Sequence, residues 1–214
     1  MFVIFMKRPL VIVNLKTYQH GARALKLCKR IEKVDKNIVV GCSPLDVYRI
    51  SKETKLKVYC QHVDGMSEGR NSGFVLPEGV KGNGGVGVFL NHSEHPLEWR
   101  VLKATVARCK RLKLKTLVFA GDLKMAVKVE RLGVDFVCIE PAELVGGKVS
   151  VSSARPELIK SIGKKLKGKF LVGAGGHSSE DIEVAMRYGA AGVALSSAVT
   201  TAVDPGKVLR ELIG

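Results

Sequence analysis

The regular alternation of short apolar runs with longer amphipathic stretches is the feature that most constrains the fold of this chain. Eight apolar runs have the length of buried strands, and they cover residues 10–13, 38–40, 58–60, 86–90, 116–119, 136–139, 170–172 and 192–195. Apolar residues recur at helical spacing over residues 22–34, 97–112, 122–132, 156–166, 180–188 and 205–213, and over a shorter, glycine-interrupted stretch at 77–83.

Strands that alternate with helices through short links predict a parallel sheet. Eight such units close into a (β/α)8 barrel rather than an open sheet, and a chain of 214 residues has the length of such a barrel. No linker-like or low-complexity segment interrupts the pattern. The sequence therefore predicts an α/β protein that folds as a single (β/α)8 barrel domain over residues 1–214.

The charge balance is strongly basic, with a formal net charge of +15 at pH 7. Lysines and arginines gather near predicted helix ends, as in residues 110–115 and 164–169, where leucines interleave them. We interpret these stretches as solvated faces beside buried stripes. Aromatic residues do not interleave the lysines, and no helix-turn-helix, zinc-finger or RNA-recognition signature occurs. We therefore expect no dedicated nucleic-acid partner, and at most some steering of anionic substrates.

The five cysteines are far apart and form no C-x-x-C pair, so neither a metal site nor a dithiol redox site is expected. Most of them sit inside apolar runs and have the pattern of buried, reduced thiols in a cytoplasmic protein. The apolar residues 1–6 are too short for a signal peptide and lack a leading basic region, and no run approaches membrane-spanning length. The sequence predicts a cytoplasmic protein without metal or cofactor.

Polar side chains follow three of the predicted strands, at the point where each strand ends. Asn14 and Lys16 close the first strand, the sequence Asn-His-Ser-Glu at 91–94 follows the fourth, and Glu140-Pro141 follows the sixth. The C-terminal ends of the strands of a (β/α)8 barrel form one rim, and the active site lies there. A lysine, a histidine and a glutamate on one rim suit acid–base chemistry on a charged substrate.

Small residues follow the last two predicted strands, at 173–176 and at Ser196-Ser197. Backbone N–H groups at the start of a helix can donate hydrogen bonds to an anion. These two turns therefore fit the phosphate cradle that is common in such barrels.

In combination, these motifs resemble the triosephosphate isomerase family. Asn-x-Lys at 14–16, Asn-His-Ser-Glu at 91–94 and Ile-Glu-Pro at 139–141 occur in register, one on each expected strand. The short length, Gln-His-Val-Asp at 61–64 and Pro-Ala-Glu-Leu-Val-Gly at 141–146 resemble the compact archaeal branch. The resemblance covers about residues 11–205. It implies a TIM barrel enzyme that interconverts dihydroxyacetone phosphate and D-glyceraldehyde 3-phosphate through an enediolate, in glycolysis and gluconeogenesis.

The resemblance implies a catalytic role for five residues. Glu140 is the base that removes a proton from the carbon beside the carbonyl, and a neutral His92 polarises the carbonyl oxygen and moves protons on it. Lys16 supplies a fixed positive charge for the phosphorylated substrate and the enediolate. Asn14 orients Lys16 and the substrate oxygens, and Glu94 holds Lys16, because a buried lysine needs a partner.

The resemblance also implies a substrate- and phosphate-binding set, which comprises Asn14, Lys16, Val145, Gly146, Gly173, Gly175, Ser196 and Ser197. Ser93 is expected to cap a helix that starts beside His92. His62 is expected to satisfy hydrogen bonds of its loop, and His95 and His177 to face solvent.

Two loops carry further implications of the resemblance. Residues 61–73 match a loop that inserts into a partner subunit, which predicts a homodimer with Ser72 near Lys16 of the partner subunit, or a homotetramer of two such dimers. Residues 141–151 match a lid that closes over the substrate. Lys148 stands where the family has glycine, and we interpret it as projecting into solvent rather than toward the phosphate.

The sequence departs from the family in three places, and two other functional classes stay open. His95-Pro96, Gly146-Gly147-Lys148 and Ser196-Ser197-Ala198 replace the family's usual residues, which bears on loop closure and phosphate affinity. Another phosphate-binding barrel, such as a sugar-phosphate epimerase, could share the glycines at 173–176 but not the motifs at 14–16 and 91–94. A non-catalytic scaffold or nucleic-acid binder could use the charge but has no need of a glutamate beside a histidine.

Overall fold

A computed structural model describes residues 8–147, 150–173 and 178–213. Within these residues, eight parallel strands pair in chain order and close into a barrel through the pairing of the last strand with the first. The strands are β1 (Leu10–Asn14), β2 (Val39–Cys42), β3 (Lys57–Cys60), β4 (Gly87–Leu90), β5 (Lys115–Ala120), β6 (Phe136–Ile139), β7 (Phe170–Val172) and β8 (Gly192–Leu195). The predicted α/β class and barrel closure are confirmed.

Helices connect the strands and lie around the barrel. They are α1 (Gly21–Val34), α2 (Val47–Glu53), α3 (Pro77–Gly82), α4 (Trp99–Arg111), α5 (Leu123–Glu130), α6 (Val151–Ala154), α7 (Pro156–Lys165), α8 (Ser179–Arg187), α9 (Ser197–Thr200) and α10 (Pro205–Ile213), with a 3₁₀ turn at Ala142–Leu144. The predicted helices agree with these within one or two residues at each end. Proline opens α3, α7 and α10, where its fixed φ suits a first turn.

Three of these helices were not predicted from the sequence. Helix α2 buries only Val47 and Ile50, and two apolar residues give too weak a periodicity for a helix prediction. Helices α6 and α9 are single turns of four residues each. The Ser150 hydroxyl caps α6 by accepting a hydrogen bond from the Ser153 N–H, so a local polar contact rather than an apolar stripe marks its start.

The core forms two layers, one inside the barrel and one between the barrel and the helices. The inner layer is filled by large side chains opposite glycines. A Cβ atom at Gly41 would overlap the ring of Phe89, and one at Gly87 would lie 2.5 Å from Tyr59 Cζ. Phe89 in turn packs edge-to-face on Phe119, with ring centroids 5.7 Å apart. These close approaches fix the aromatic rings beneath the rim that carries the polar residues.

The surface and the cysteines agree with the sequence interpretation. In the basic stretches, the lysines are exposed while Leu114 and Leu166 are buried, as expected for solvated faces. All five cysteines lie in the described ranges, where they are buried and unpaired. Burial raises the pKa of the Cys60 thiol to about 11, so this thiol stays protonated. None of the helices in the described ranges has the length and apolar character that crossing a bilayer requires.

Candidate active site

The end of β1 holds Asn14 and Lys16 in a tight turn. Asn14 is buried, and its Oδ1 accepts a hydrogen bond of 3.0 Å from the Lys16 backbone N–H. Lys16 has a φ of 44°, a left-handed conformation that is rare for a residue with a side chain. Its side chain is only 12% exposed, and its Nζ donates to Glu94 Oε1 at 2.7 Å. The lysine charge is therefore held at the rim by a carboxylate from the loop after β4.

The end of β4 is shaped by Asn91, which has a left-handed φ of 59°. Its side chain ties the turn on both sides, because Nδ2 donates to the Phe119 carbonyl at 3.0 Å and Oδ1 accepts from the Leu97 N–H at 3.0 Å. His92 follows, and its ring lies edge-on against Phe119 at a centroid distance of 4.6 Å. Asn91 and the Phe119 ring therefore set the direction of the His92 side chain.

His92 does not stand at the start of a helix, so the expectation that Ser93 caps one is wrong. Residues 92–95 form a turn in which the His95 N–H donates to the His92 carbonyl, and α4 begins only at Trp99. Pro96 gives the physical reason, because proline disfavours the helical conformation in the residue before it. Instead, the Glu94 N–H donates to His92 Nδ1 at 3.1 Å. Since Nδ1 accepts this bond, the proton of a neutral imidazole lies on Nε2.

Glu140 directly follows β6 and faces His92. Its backbone N–H donates to the Ala120 carbonyl at 2.9 Å, and the residue is 8% exposed. Glu140 Oε2 lies 2.9 Å from His92 Nε2, but the two groups lack the alignment of a hydrogen bond. Within the described part of the chain, both atoms are buried without a hydrogen-bond partner. Buried polar atoms are rarely left unpaired, so this pair has the character of a site that a ligand completes.

Gly173, after β7, gives the Glu140 carboxylate its space. A Cβ atom at this position would lie 3.1 Å from Glu140 Oε1 and 3.1 Å from Cys138 Sγ. Burial, together with the charge of Glu140, raises the pKa of the Cys138 thiol well above its ordinary value. The thiol beneath the carboxylate therefore stays neutral and is no nucleophile.

Two adjoining cavities open at this rim and share Asn14 and Lys16. The first also contacts residues that follow two other strands, namely Glu140, Val145 and Gly146 after β6, and Ser196 and Ser197 after β8. The second is completed by Gln61, His62, His92, Glu94 and His95. In the first cavity, Ser196 Oγ is buried and has no hydrogen-bond partner among the described residues. Of the expected site residues, Gly175 lies outside the described residues, as do Lys148 and His177.

The other histidines of the rim make contacts of their own. His62 Nε2 lies 3.1 Å from Asp64 Oδ1, which agrees with its expected role in satisfying the loop. His95 is exposed, as expected, but it also stacks on His62 with ring centroids 4.2 Å apart. No group of three or more histidines, cysteines or carboxylates within the described ranges is arranged to hold a metal ion.

Sequence reasoning missed Tyr18 at this rim, and it placed Gln61 at the end of the third predicted strand without giving it a role. Tyr18 lines the first cavity beside Lys16. Gln61 hydrogen-bonds to both Asn14 and Lys16. The position of Gln61 directly after β3 was the available signal, but its partners lie 45 and 47 residues away in the chain.

This chain is similar to known proteins in both its sequence and its fold. The family model described as "Triosephosphate isomerase" matches residues 9–212. The triosephosphate isomerases of Metallosphaera sedula and Saccharolobus solfataricus are each 37% identical to this chain, over 97% of it and 96% of their own length. That of Methanobacterium bryantii is 36% identical over 96% of both chains. The crystal structure of triosephosphate isomerase from Bartonella henselae matches with a TM-score of 0.76, covering 95% of this chain and 98% of that chain at 16% identity, which supports the fold alone.

Proposed function

Because the chain belongs to the triosephosphate isomerase family, we propose how its own residues carry out the interconversion of dihydroxyacetone phosphate and D-glyceraldehyde 3-phosphate. The Glu140 carboxylate takes a proton from the carbon next to the substrate carbonyl. The electron pair of that C–H bond forms a carbon–carbon double bond, and the π pair of the carbonyl moves onto its oxygen, which gives an enediolate. Glu140 then returns the proton to the neighbouring carbon, which completes the isomerisation without a cofactor.

His92 acts on the oxygen side of the same reaction. Its Nε2 carries the proton of the neutral ring, since Nδ1 is occupied by the Glu94 N–H. The Nε2–H group can donate to the carbonyl oxygen as negative charge develops there, and can pass the proton between the two enediolate oxygens. The observation that carries this proposal is a pair of buried atoms, Glu140 Oε2 and His92 Nε2, which lie 2.9 Å apart and have no hydrogen-bond partner among the described residues.

The first cavity is proposed to receive the substrate phosphate. Lys16 supplies the positive charge, with Asn14 fixing its backbone and Glu94 its ammonium group. Ser196 offers a buried hydroxyl without a partner among the described residues, and the neighbouring Ser197 lines the same cavity. Val145, Gly146, Gly173 and Gly175 are proposed to complete the substrate-binding set. Residues 141–151, of which Val145 and Gly146 line the cavity, are proposed to cover the bound substrate and exclude water from it.

A coupled assay with D-glyceraldehyde 3-phosphate, run also in the reverse direction with dihydroxyacetone phosphate, tests this function. We expect saturable isomerisation without added metal, and competitive inhibition by 2-phosphoglycolate. Turnover of a pentulose phosphate in place of the trioses would instead identify a different phosphate-binding barrel. Absence of turnover with either class of substrate would contradict the enzyme assignment.

We further propose that the chain forms one domain over residues 1–214 and that it works in the cytoplasm. Its buried free cysteines support the proposed location.

Gly173→Ala is expected to lower kcat by about 10- to 100-fold with a smaller change in KM. The added methyl group would lie 3.1 Å from Glu140 Oε1, and displacing a catalytic base by a fraction of an ångström to 1 Å has an effect of this order. Steady-state kinetics with both variants measures it. Gly121→Ala is the matched control, because among the described residues its methyl group would meet only the Glu140 carbonyl oxygen, at 3.8 Å. Unchanged kcat in Gly173→Ala would mean that the carboxylate does not need this space.

We expect a homodimer in solution, twice the 23.2 kDa mass of the chain, or a homotetramer of two dimers. Residues 66–70 and 72–74 are exposed, and two apolar side chains stand out among them, Met66 at 37% and Phe74 at 48%. The base of this loop is clamped, since the Val75 N–H donates to Asp64 Oδ2 and the Asp64 N–H to the Val75 carbonyl. An exposed loop with a hydrogen-bonded base and apolar side chains suits insertion into a partner, with Ser72 near the partner's Lys16.

Light scattering coupled to size-exclusion chromatography measures the mass at micromolar concentration. Phe74→Asp should shift the equilibrium toward the monomer, because it places a charge in an apolar contact. Val203→Asp is the control, because Val203 is 99% exposed and is distant in sequence from this loop. A fully active monomer at micromolar concentration would contradict the dimer.

A further inference from the structure

The left-handed conformation of Lys16 needs support that its own side chain cannot give. A residue with a Cβ atom is disfavoured at a φ of 44°, and such strain persists only where the surroundings over-determine it. The ammonium group of Lys16 binds Glu94, but that contact acts at the far end of a flexible side chain. The backbone of the turn is held by Asn14 Oδ1 on one side, through the Lys16 N–H.

Gln61 holds the other side of this turn. It directly follows β3, and its side chain reaches across β2 to the end of β1. Its Nε2 lies 3.0 Å from Asn14 Oδ1, 3.1 Å from the Lys16 carbonyl oxygen and 3.3 Å from the Gly41 carbonyl oxygen. The amide group of Gln61 thus contacts both ends of the turn from Asn14 to Lys16. It also contacts β2, the strand that lies between β1 and β3.

The chemistry of these three contacts fixes the orientation of the Gln61 amide. All three partner atoms are oxygens that accept hydrogen bonds, and an NH₂ group offers two donors. The opposite orientation would place the amide oxygen against three oxygens. The same reasoning excludes a carboxylate at this position as a functional substitute, because an ionised carboxylate donates nothing.

We propose that Gln61 is a positioning residue that keeps the Lys16 turn in its left-handed conformation and so directs the lysine charge into the substrate cavity. Without the Nε2 donor, the turn can relax toward an ordinary backbone conformation. The Cα–Cβ bond of Lys16 then changes direction. The ammonium group moves away from the bound phosphate and from the oxygen on which the enediolate charge develops. The proposal rests on the proposed function and adds to it a residue that acts through the position of Lys16.

The test is a double-mutant cycle with Gln61→Met and Lys16→Met. Gln61→Met should lower kcat/KM by on the order of 10²-fold, the loss typical of about 1 Å of misplacement in a site. In the Lys16→Met background the same change should lower kcat/KM at least tenfold less, because the group that it positions is gone. Equal losses in both backgrounds would overturn the proposal, as would wild-type kcat/KM in Gln61→Met.

Two further variants separate positioning from simple stability. Gln61→Glu keeps the length of the side chain and should lose activity as Gln61→Met does, which covers the case in which the methionine variant fails to fold. Gln19→Met is the matched control, because Gln19 lies in the same loop as Lys16 but donates to the Thr200 carbonyl at 2.8 Å instead of supporting the Lys16 turn. Gln19→Met should keep wild-type kcat/KM, and a loss equal to that of Gln61→Met would indicate a general effect of the loop and overturn the proposal.

A binding measurement keeps this test separate from that of the proposed function. Calorimetry with 2-phosphoglycolate should show at least tenfold weaker binding to Gln61→Met than to the wild type and to Gln19→Met. If the wild type lacks isomerase activity, the proposed function fails, and the analogue affinities still decide whether Gln61 acts on Lys16. Unchanged affinity in Gln61→Met would overturn the positioning role even in an active enzyme.

Discussion

Glu140→Gln is expected to lower kcat by on the order of 10³-fold or more while the protein keeps its fold. Glutamine has nearly the same shape as glutamate but cannot accept the proton from the substrate carbon. The fold should tolerate the change, since Glu140 Oε2 makes no hydrogen bond to the described residues that stability would depend on. Glu140→Asp should also lose most of kcat, because its carboxylate is drawn back by one methylene group.

Saturation kinetics of the three proteins measure this effect, together with thermal unfolding and circular dichroism to confirm the fold. The Glu143→Gln variant serves as a control, because Glu143 lies on the neighbouring 3₁₀ turn and makes an exposed ion pair with Arg155. We expect Glu143→Gln to keep kcat within a few-fold, as exposed ion pairs contribute little. Wild-type turnover in Glu140→Gln would show that the isomerase mechanism is wrong.

His92→Gln is expected to lower kcat by on the order of 10²-fold or more. The glutamine amide can still donate toward the carbonyl oxygen, but it cannot pass a proton between the two oxygens of the enediolate. The effect should therefore fall on kcat more than on KM, because the lost interaction belongs to the transition state. Steady-state kinetics over a range of pH measures the loss of kcat. Exchange of substrate hydrogen into solvent is a second readout.

His20→Gln is the matched control for this prediction. His20 precedes α1, is exposed and contacts Arg23, so its replacement should leave kcat unchanged. A His92→Gln enzyme with kcat near that of the wild type would mean that another group protonates the enediolate. The general base Glu140 would keep its role in that case.

The barrel could be predicted from the sequence because each of its eight strands is an apolar run between amphipathic stretches. Its polar rim could be predicted as well, since Asn14 and Glu140 come directly after such runs and His92 comes one residue later. What could not be predicted depends on contacts distant in the chain. The role of Gln61 rests on bonds to residues 45 and 47 positions away, and Gly173 matters through its distance to the Glu140 carboxylate.

Local chemistry explains the predictions that were wrong or missing. Ser93 has the residue type of a helix cap, but Pro96 prevents the helix from beginning there. A nearby backbone N–H, that of Glu94, satisfies His92 Nδ1 instead. Helix α2 was missed because it turns only Val47 and Ile50 into the core, so packing against the barrel rather than periodicity specifies it.

The close fit of Phe89 over Gly41 has a consequence for how such a sequence can change over evolutionary time. Alanine at 41 would collide with the Phe89 ring, and Phe89 supports Phe119, on which the His92 ring lies. A lineage could accept a larger residue at 41 only after a smaller one had appeared at 89, and that intermediate would hold His92 less firmly. The interior of the barrel thus restricts the order in which substitutions can accumulate, and we expect relatives to exchange these positions as a set.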